Sequence, residues 1–237
     1  IITPLNVSLY KLFSLKLYNA VYIISFFTHS ATLKKYLSCC MQYKEHLQKD
    51  KKLSKCLGDD LHELKLHKNI PIRLMASIMS QQLSTKVAKV IFHRFLDLYG
   101  KKEPKPQQVL NTSLEQLRGI GLSNAKVNYV QNVAAFCIEH KITDKKLLKM
   151  SNEDIIELLT QIKGVGKWTV EMLLMFSLGG ADVFAVDDLG IQQAMAQLYK
   201  LDTSNKKQLK EQMLAISAKW SPYRTYACLH LWKWKDN

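Results

Sequence analysis

From residue 34 onward, apolar residues recur at helical spacing, and no stretch alternates with period two for long enough to make a convincing strand. That pattern confines the chain to helical architectures. The punctuation agrees. Ser84 precedes a segment running to Tyr99, with Leu83, Val87, Val90, Ile91 and Leu98 on one apolar stripe and Gly100 as the stop. Ser113 and Ser151 each have an acceptor three residues on, Gln116 and Asp154, the pattern of a capping box. Ser123 opens a helix through Ile138, Ser204 opens another through Ala218, and Pro222 falls where the first turn of a last helix would begin. Lys101–Pro106 and Gly179-Gly180 break the pattern as loops. The expectation is an all-α protein of about ten short helices.

Lys and Arg total 34 and Asp and Glu total 20, a net charge of +14. A surplus that size speaks of partners, and it favours a polyanion, nucleic acid first. A hydrophobic share of 47% with 23% charged residues excludes wholesale disorder. The five cysteines, Cys39, Cys40, Cys56, Cys137 and Cys228, contain no CxxC and no zinc spacing. They exclude a disulfide framework, and a reducing cytosol is the default compartment. With only Cys228 in the last hundred residues, a four-cysteine iron–sulfur cluster there is excluded as well.

Residues 1–33 read as an N-terminal extension. Within it, Leu17–Phe27 is apolar except for Asn19 and Ser25. It falls short of the roughly 20 residues a membrane-spanning helix needs, and reads as a peripheral helix or non-native sequence, so no membrane role is expected.

The most specific local pattern is Ile162-Lys-Gly-Val-Gly-Lys-Trp168. A helix over 152–160 ends, Gly164-Val165-Gly166 turns tightly, and a second helix begins near Lys167. Two glycines permit a positive φ with no Cβ in the way. Backbone N–H groups left unpaired at a helix N-terminus, with the positive end of the dipole, suit a phosphate oxygen. Val165 would tuck into the core, and Lys163 and Lys167 would add charge. An ordinary helix–loop–helix corner is the plainer alternative, and the net charge favours phosphate. Leu117-Arg-Gly-Ile-Gly-Leu-Ser123 echoes the motif on its glycine–apolar–glycine core.

Twenty residues after Trp168 comes Asp188, in Asp182-Val-Phe-Ala-Val-Asp-Asp-Leu-Gly-Ile191. The second hairpin helix runs to about Leu178, a Gly179-Gly180-Ala181 loop reverses the chain, and Asp187-Asp188 opens the next helix. That brings Asp188 back towards the base of the hairpin. A fixed anion beside bound DNA is costly unless it has a role, so Asp188 is a functional candidate and Asp187 a simple cap.

Together these stretches resemble the helix-hairpin-helix (HhH-GPD) DNA glycosylase superfamily, in its 3-methyladenine DNA glycosylase II branch. Ile78-Met-Ser-Gln-Gln-Leu-Ser84 resembles the segment that places a wedge in DNA, Leu117–Lys126 the mid-domain turn, and Trp220–Ala227 with Leu229–Trp232 the C-terminal helix. The resemblance covers about residues 60 to 235. It implies two interleaved helical subdomains, one of six helices at about 71–180 and one from 34–70 plus 181–237, with the active-site cleft between them.

By that resemblance Asp188 matches the catalytic aspartate, and Trp168 and Trp232 line the base pocket with Met172 and Leu189. Gln82 matches the residue inserted into the stack. Lys163, Gly164, Val165, Gly166, Lys167 and Thr169 form the hairpin that holds the DNA backbone. Trp168 stands where bifunctional relatives carry a nucleophilic lysine, so the implied enzyme releases the base without cutting the strand. Ala185 replaces a usual proline, Val170 a usual alanine, and Met172 and Leu189 stand where some relatives are aromatic. No cofactor is implied, and some relatives hold a monovalent cation on hairpin carbonyls near Ile162 and Val165. Tyr223 and Arg224 read as packing and phosphate contact, and His230 receives no role.

The implied activity is base excision of alkylated purines from double-stranded DNA by a monomer, in the cytoplasm of a bacterial cell. Two readings compete with it. One is a helix-hairpin-helix DNA-binding protein without activity. The other is a glycosylase for oxidised or mismatched bases.

Overall fold

The computed structural model describes residues 42–59 and 62–236. The N-terminal extension, Cys39 and Cys40 lie outside these. The chain divides into two compact units, Ile1–Lys44 and Glu45–Asn237, and the second carries every helix named below.

Its described residues include eleven α-helices and two 3₁₀ turns, with no strand among them beyond one isolated bridge between Leu66 and Leu178. The helices are α1 (Ile70–Ser80), α2 (Thr85–Asp97), α3 (Pro106–Leu110), α4 (Leu114–Gly119), α5 (Asn124–Glu139) and α6 (Asp144–Leu147). They continue as α7 (Asn152–Leu159), α8 (Lys167–Phe176), α9 (Leu189–Tyr199), α10 (Lys206–Ser217) and α11 (Arg224–Lys235). The all-α expectation holds. No helix of the described residues is long and apolar enough to cross a membrane.

Helix α1 is the organiser. Ile70, Ile72, Leu74, Met75, Ile78 and Met79 are all almost fully buried, and a helix apolar nearly all round belongs at the centre of a core. It packs against α2, α5 and α8, while α5 also packs on α3 and α4, and α7 on α8. Asp144 of α6 secures the start of α1 by accepting the Asn69 and Ile70 N–H groups at 2.8 and 2.9 Å. The other packing group is α9, α10, α11 and the 3₁₀ turn Leu53–Cys56. Its core includes Trp220, whose indole donates to Asp50 at 3.0 Å. Asp50 also accepts from Tyr199 (2.5 Å) and Lys219 (3.0 Å), and these donors hold its carboxyl well below the usual carboxylate range against the cost of burial.

Ser84, Ser113, Ser123 and Ser151 each accept the N–H three residues on, as their spacing predicts. Three expectations need correction. Asn205, not Ser204, caps α10, because the Ser204 hydroxyl is drawn to Asp202 at 2.8 Å. Pro222 precedes α11 rather than entering its first turn, which starts at Arg224. The α2 stripe is not a core face: Ile91 and Phe95 are buried, but Leu83, Val87, Val90 and Leu98 are exposed. The core contacts of α2 come through a narrower strip, centred on Phe95.

Candidate active site and nucleic-acid interface

The hairpin is built from α7, the turn at residues 160–166, and α8. Ile162 and Val165 pin the turn from inside, both buried. Gly164 has φ +101°, and a Cβ there would lie 2.2 Å from the Tyr129 ring of α5. Backbone freedom and close approach both demand glycine. Asn132 of α5 adds a hydrogen bond to the Lys163 carbonyl at 3.1 Å. The turn is thus held by α5 on one side, with Lys163 and Lys167 exposed on the other.

Among the described helices of eight residues or more, α8 alone receives no side-chain oxygen in its first turn. Its cap position is Gly166, with no side chain to offer. Side chains at the cap serve α2, α5, α7, α9 and α10. Helix α1 borrows Asp144, and α11 borrows Asp182, which accepts the Arg224 N–H. Four N–H groups at a helix start need partners, and the start of α8 leaves them without a side-chain acceptor.

The echo of this turn exists in three dimensions, but two residues out of the sequence register. Gly121 has φ +105°, and it sits two residues before the cap, as Gly164 does. The equivalents are Gly121-Leu122-Ser123 and Gly164-Val165-Gly166, with Leu122 and Val165 buried alike. The decisive difference is at the cap. Ser123 accepts the Lys126 N–H and closes its own helix, whereas Gly166 leaves α8 open.

In the expected backbone-binding set, the Val165 N–H and the Thr169 side chain do not offer what that role requires, whereas the Thr169 N–H is one of the open groups at the start of α8. The Val165 N–H is consumed within the turn, donating to the Ile162 carbonyl at 2.9 Å. Thr169 is 3% exposed, and its hydroxyl accepts the Gln81 amide at 3.2 Å. It packs against the C-terminal end of α1 instead of facing outward. Arg224 is likewise committed to Asp182, at 2.6 and 3.0 Å, rather than free for phosphate.

Asp188 caps α9. Its Oδ1 accepts the Ile191 N–H at 2.9 Å and the Trp232 indole N–H at 2.8 Å. Its Oδ2 accepts the Trp168 indole N–H at 2.9 Å. One carboxylate therefore joins the hairpin helix, α9 and the last helix. Gly190 makes this possible, since a Cβ there would come within 3.1 Å of both Asp188 Oδ1 and the Trp232 ring. Two donors fill Oδ1, and Oδ2 retains one acceptor direction.

Trp168 is 40% exposed and lines a cleft of about 460 Å³ with Ser77, Ser80, Gln81, Gln82 and Leu83. Gln82 is exposed, with φ +58°. The structure thus brings Trp168, Asp188 and Trp232 together, and Gln82 lines the same cleft as Trp168. Trp232 stacks loosely on Phe176, with ring centroids 6.0 Å apart. Met172 is half-buried, one turn along α8 from Trp168. Leu189 is 66% exposed, and Trp168 is the one member of the expected base pocket among the residues lining that cleft, since Met172, Leu189 and Trp232 do not line it and neither does Asp188. Asp187 pairs with Lys210, in keeping with a structural part. His230 is buried edge-to-face against His62, ring centroids 4.7 Å apart.

Sequence reasoning missed Glu171. It is buried on α8 and faces Lys167 at 3.7 Å. Desolvation pushes its carboxyl up to about 7; the Asp187 and Asp188 charges add to this and Lys167 opposes it. The spacing of Lys167 and Glu171, four apart on one helix, was its only visible sign.

A family model described as "HhH-GPD superfamily base excision DNA repair protein" matches residues 75–219. DNA-3-methyladenine glycosylase 1 of Schizosaccharomyces pombe is 37% identical over 186 residues, covering 77% of this chain and 80% of its own. A putative DNA-3-methyladenine glycosylase of Bacillus subtilis is 34% identical over 166 residues. That match covers 68% of this chain and 57% of the longer relative. The solved structure of the S. pombe 3-methyladenine DNA glycosylase, in complex with abasic DNA, superposes with a TM-score of 0.70 at 34% identity. It covers 81% of this chain and 95% of that one.

Proposed function

The chain belongs to the HhH-GPD superfamily of base excision DNA repair proteins, and from that membership we propose that it is a monofunctional DNA glycosylase for alkylated purines. It flips a 3-methyladenine or 7-methylguanine type base from double-stranded DNA and hydrolyses the N-glycosidic bond. The observation that carries this reading is the Asp188 carboxylate accepting both indole N–H groups, from Trp168 and Trp232. A fixed anion with aromatic rings on two sides suits a cationic, planar base and the positive charge that follows its departure.

The target must first leave the stack, at a cost of a few kcal/mol that falls when the base is damaged. Gln82, which lines the same cleft as Trp168, fills the vacated space. The open start of α8, with Lys163 beside it, takes a phosphate. A ring cation over an indole face gains about 0.5–2 kcal/mol. Breaking the glycosidic bond sends its electron pair to the base, which becomes neutral, and leaves an oxocarbenium-like sugar. Asp188 stabilises that charge, and the remaining acceptor direction on Oδ2 orients the water that attacks it. The attacking water gives one proton up to the Asp188 carboxylate and from there to solvent as the hydroxyl forms, and an abasic site remains. Because the base arrives already charged, no general acid is needed.

Strand cleavage by β-elimination would need an amine. Trp168 has none, and the Lys167 ammonium faces Glu171 instead. Every side chain invoked comes from one chain, so a monomer suffices. The test is mass spectrometry of bases freed from dimethyl-sulfate-treated DNA. Release of 3-methyladenine and 7-methylguanine is expected. Binding without release of any base would overturn the reading in favour of a passive clamp.

A further inference from the structure

Resting on that reading, we propose that Lys126 is a positioning residue, which sets the wedge residue Gln82 in place by gripping the backbone just before it. The Lys126 ammonium donates to the Met79 carbonyl at 2.9 Å and to the Gln81 carbonyl at 2.7 Å. Both belong to the C-terminal end of α1, where carbonyls lack helical partners and the dipole is negative. The grip is partly desolvated, which pulls the ammonium's pKa below its usual value.

The residue after Gln81 adopts φ +58°, a conformation that residues other than glycine seldom adopt. Such a geometry persists only where its surroundings fix it. The turn is fixed from two directions. Lys126 holds the Gln81 carbonyl from α5, and Thr169 accepts the Gln81 side-chain amide from α8 at 3.2 Å. Lys126 and Thr169 are each the third residue after the cap in the two echoing turns, Gly121-Leu122-Ser123 and Gly164-Val165-Gly166. The duplicated turn therefore has divided its labour: one copy opens its helix to phosphate, the other closes its own helix and sends a charge to the wedge. Both copies clamp Gln81, so the wedge is registered against the same helix that carries Trp168.

The experiment compares two duplexes carrying 7-methylguanine, one paired with cytosine and one in which the opposing nucleotide lacks its base. Lys126→Met is expected to lower kcat/KM about 10- to 100-fold on the paired duplex, the scale of a misplaced positioning group. On the unpaired duplex, where the lesion needs no wedge to leave the stack, the loss should stay below about threefold. Gln82→Ala should show the same pattern, and adding Lys126→Met to it should cost nothing further. Lys126→Arg, which keeps the charge, should restore most of the paired-duplex activity. Thr169→Val, which keeps the ammonium, provides a second perturbation of the same turn with the same substrate dependence. Equal losses on both duplexes, or additive losses in the double variant, would overturn the inference. So would a Lys126→Met protein as active as the wild type on the paired duplex. A wild type that frees no base from either duplex would instead remove the proposed function.

Discussion

Installing a cap at the open start of α8 should stabilise the protein and weaken DNA binding at once. Gly166 has φ −91° and ψ 165°, close to the φ −68° and ψ 158° of Ser123, which caps the equivalent turn. A Cβ at Gly166 would meet nothing within 4 Å. Gly166→Ser is therefore free of strain. Relative to glycine, a serine cap adds a few tenths of a kcal/mol, and loss of glycine's freedom in the unfolded chain adds about 0.4–1 kcal/mol. A gain of about 1 kcal/mol raises Tm by roughly 2–4 °C in a protein of this size. The new oxygen takes the same N–H groups that a phosphate would use. Hydrogen bonds to charged groups are worth about 1.5–3 kcal/mol, so affinity should fall roughly tenfold or more. Gly166→Asp adds repulsion and should cost about 100-fold or more, and the slope of log K against log salt should shrink by about 0.9. Gly166→Ala is the control, with a side chain but no cap, and should keep its affinity. Thermal melts and fluorescence anisotropy at several salt concentrations read all three. A Gly166→Asp variant with wild-type affinity and salt slope would refute the hairpin as the phosphate site.

Other substitutions probe the rest of the construction. Gly164→Ala should lose more than about 2 kcal/mol, since φ is positive and the methyl group meets Tyr129; denaturant titration checks this, and a wild-type midpoint would contradict it. The Glu171 carboxyl is raised in the folded state from 4.5 to about 7. As pH climbs through that window the unfolded chain ionises first, so stability is lost between about 4.5 and 7 and stays lost above. At about 1.4 kcal/mol per pH unit the ceiling is about 3 kcal/mol. Glu171→Gln should accordingly melt above the wild type at pH 8 and level with it near pH 4.5, and a constant difference across the range would count against the buried-carboxyl account. Trp232→Phe keeps a ring but removes one donor to Asp188, so base release should slow about tenfold or more with duplex affinity little changed. Borohydride treatment during turnover should trap no covalent adduct; a trapped one would identify an amine nucleophile and contradict the role given to Trp168.

Much of the fold was legible because its instructions are local. A serine just before a helical apolar pattern specifies a helix start within one turn of chain, as at Ser84 and Ser123, and at Ser113 and Ser151 an acceptor three residues on completes a capping box. Where two local options compete, the sequence does not choose between them, and Ser204 lost the α10 cap to its neighbour Asn205. The α2 stripe failed for a different reason. Periodicity reports that a helix has an apolar face but not how much of that face its neighbours cover, and here they cover little beyond Ile91 and Phe95. At the site, the hairpin and Asp188 were readable from glycine placement and spacing. The direction of the indole N–H groups was not, since it depends on α11 returning beside α9. Lys126 was invisible for the same reason: its partners on α1 lie more than forty residues away in the chain. Register within the echo was misread because a repeated glycine–apolar–glycine core has two alignments, and only the positive φ of Gly121 and Gly164 separates them.

Asp188 should act on the reaction and not on binding. The direct measurement is single-turnover release of 7-methylguanine by wild type and by Asp188→Asn, with duplex affinity read in parallel on the same preparations. Release by Asp188→Asn is predicted to fall by about 100-fold or more while affinity holds or tightens. Release that persists at the wild-type rate, or falls only in step with lost binding, would contradict that role.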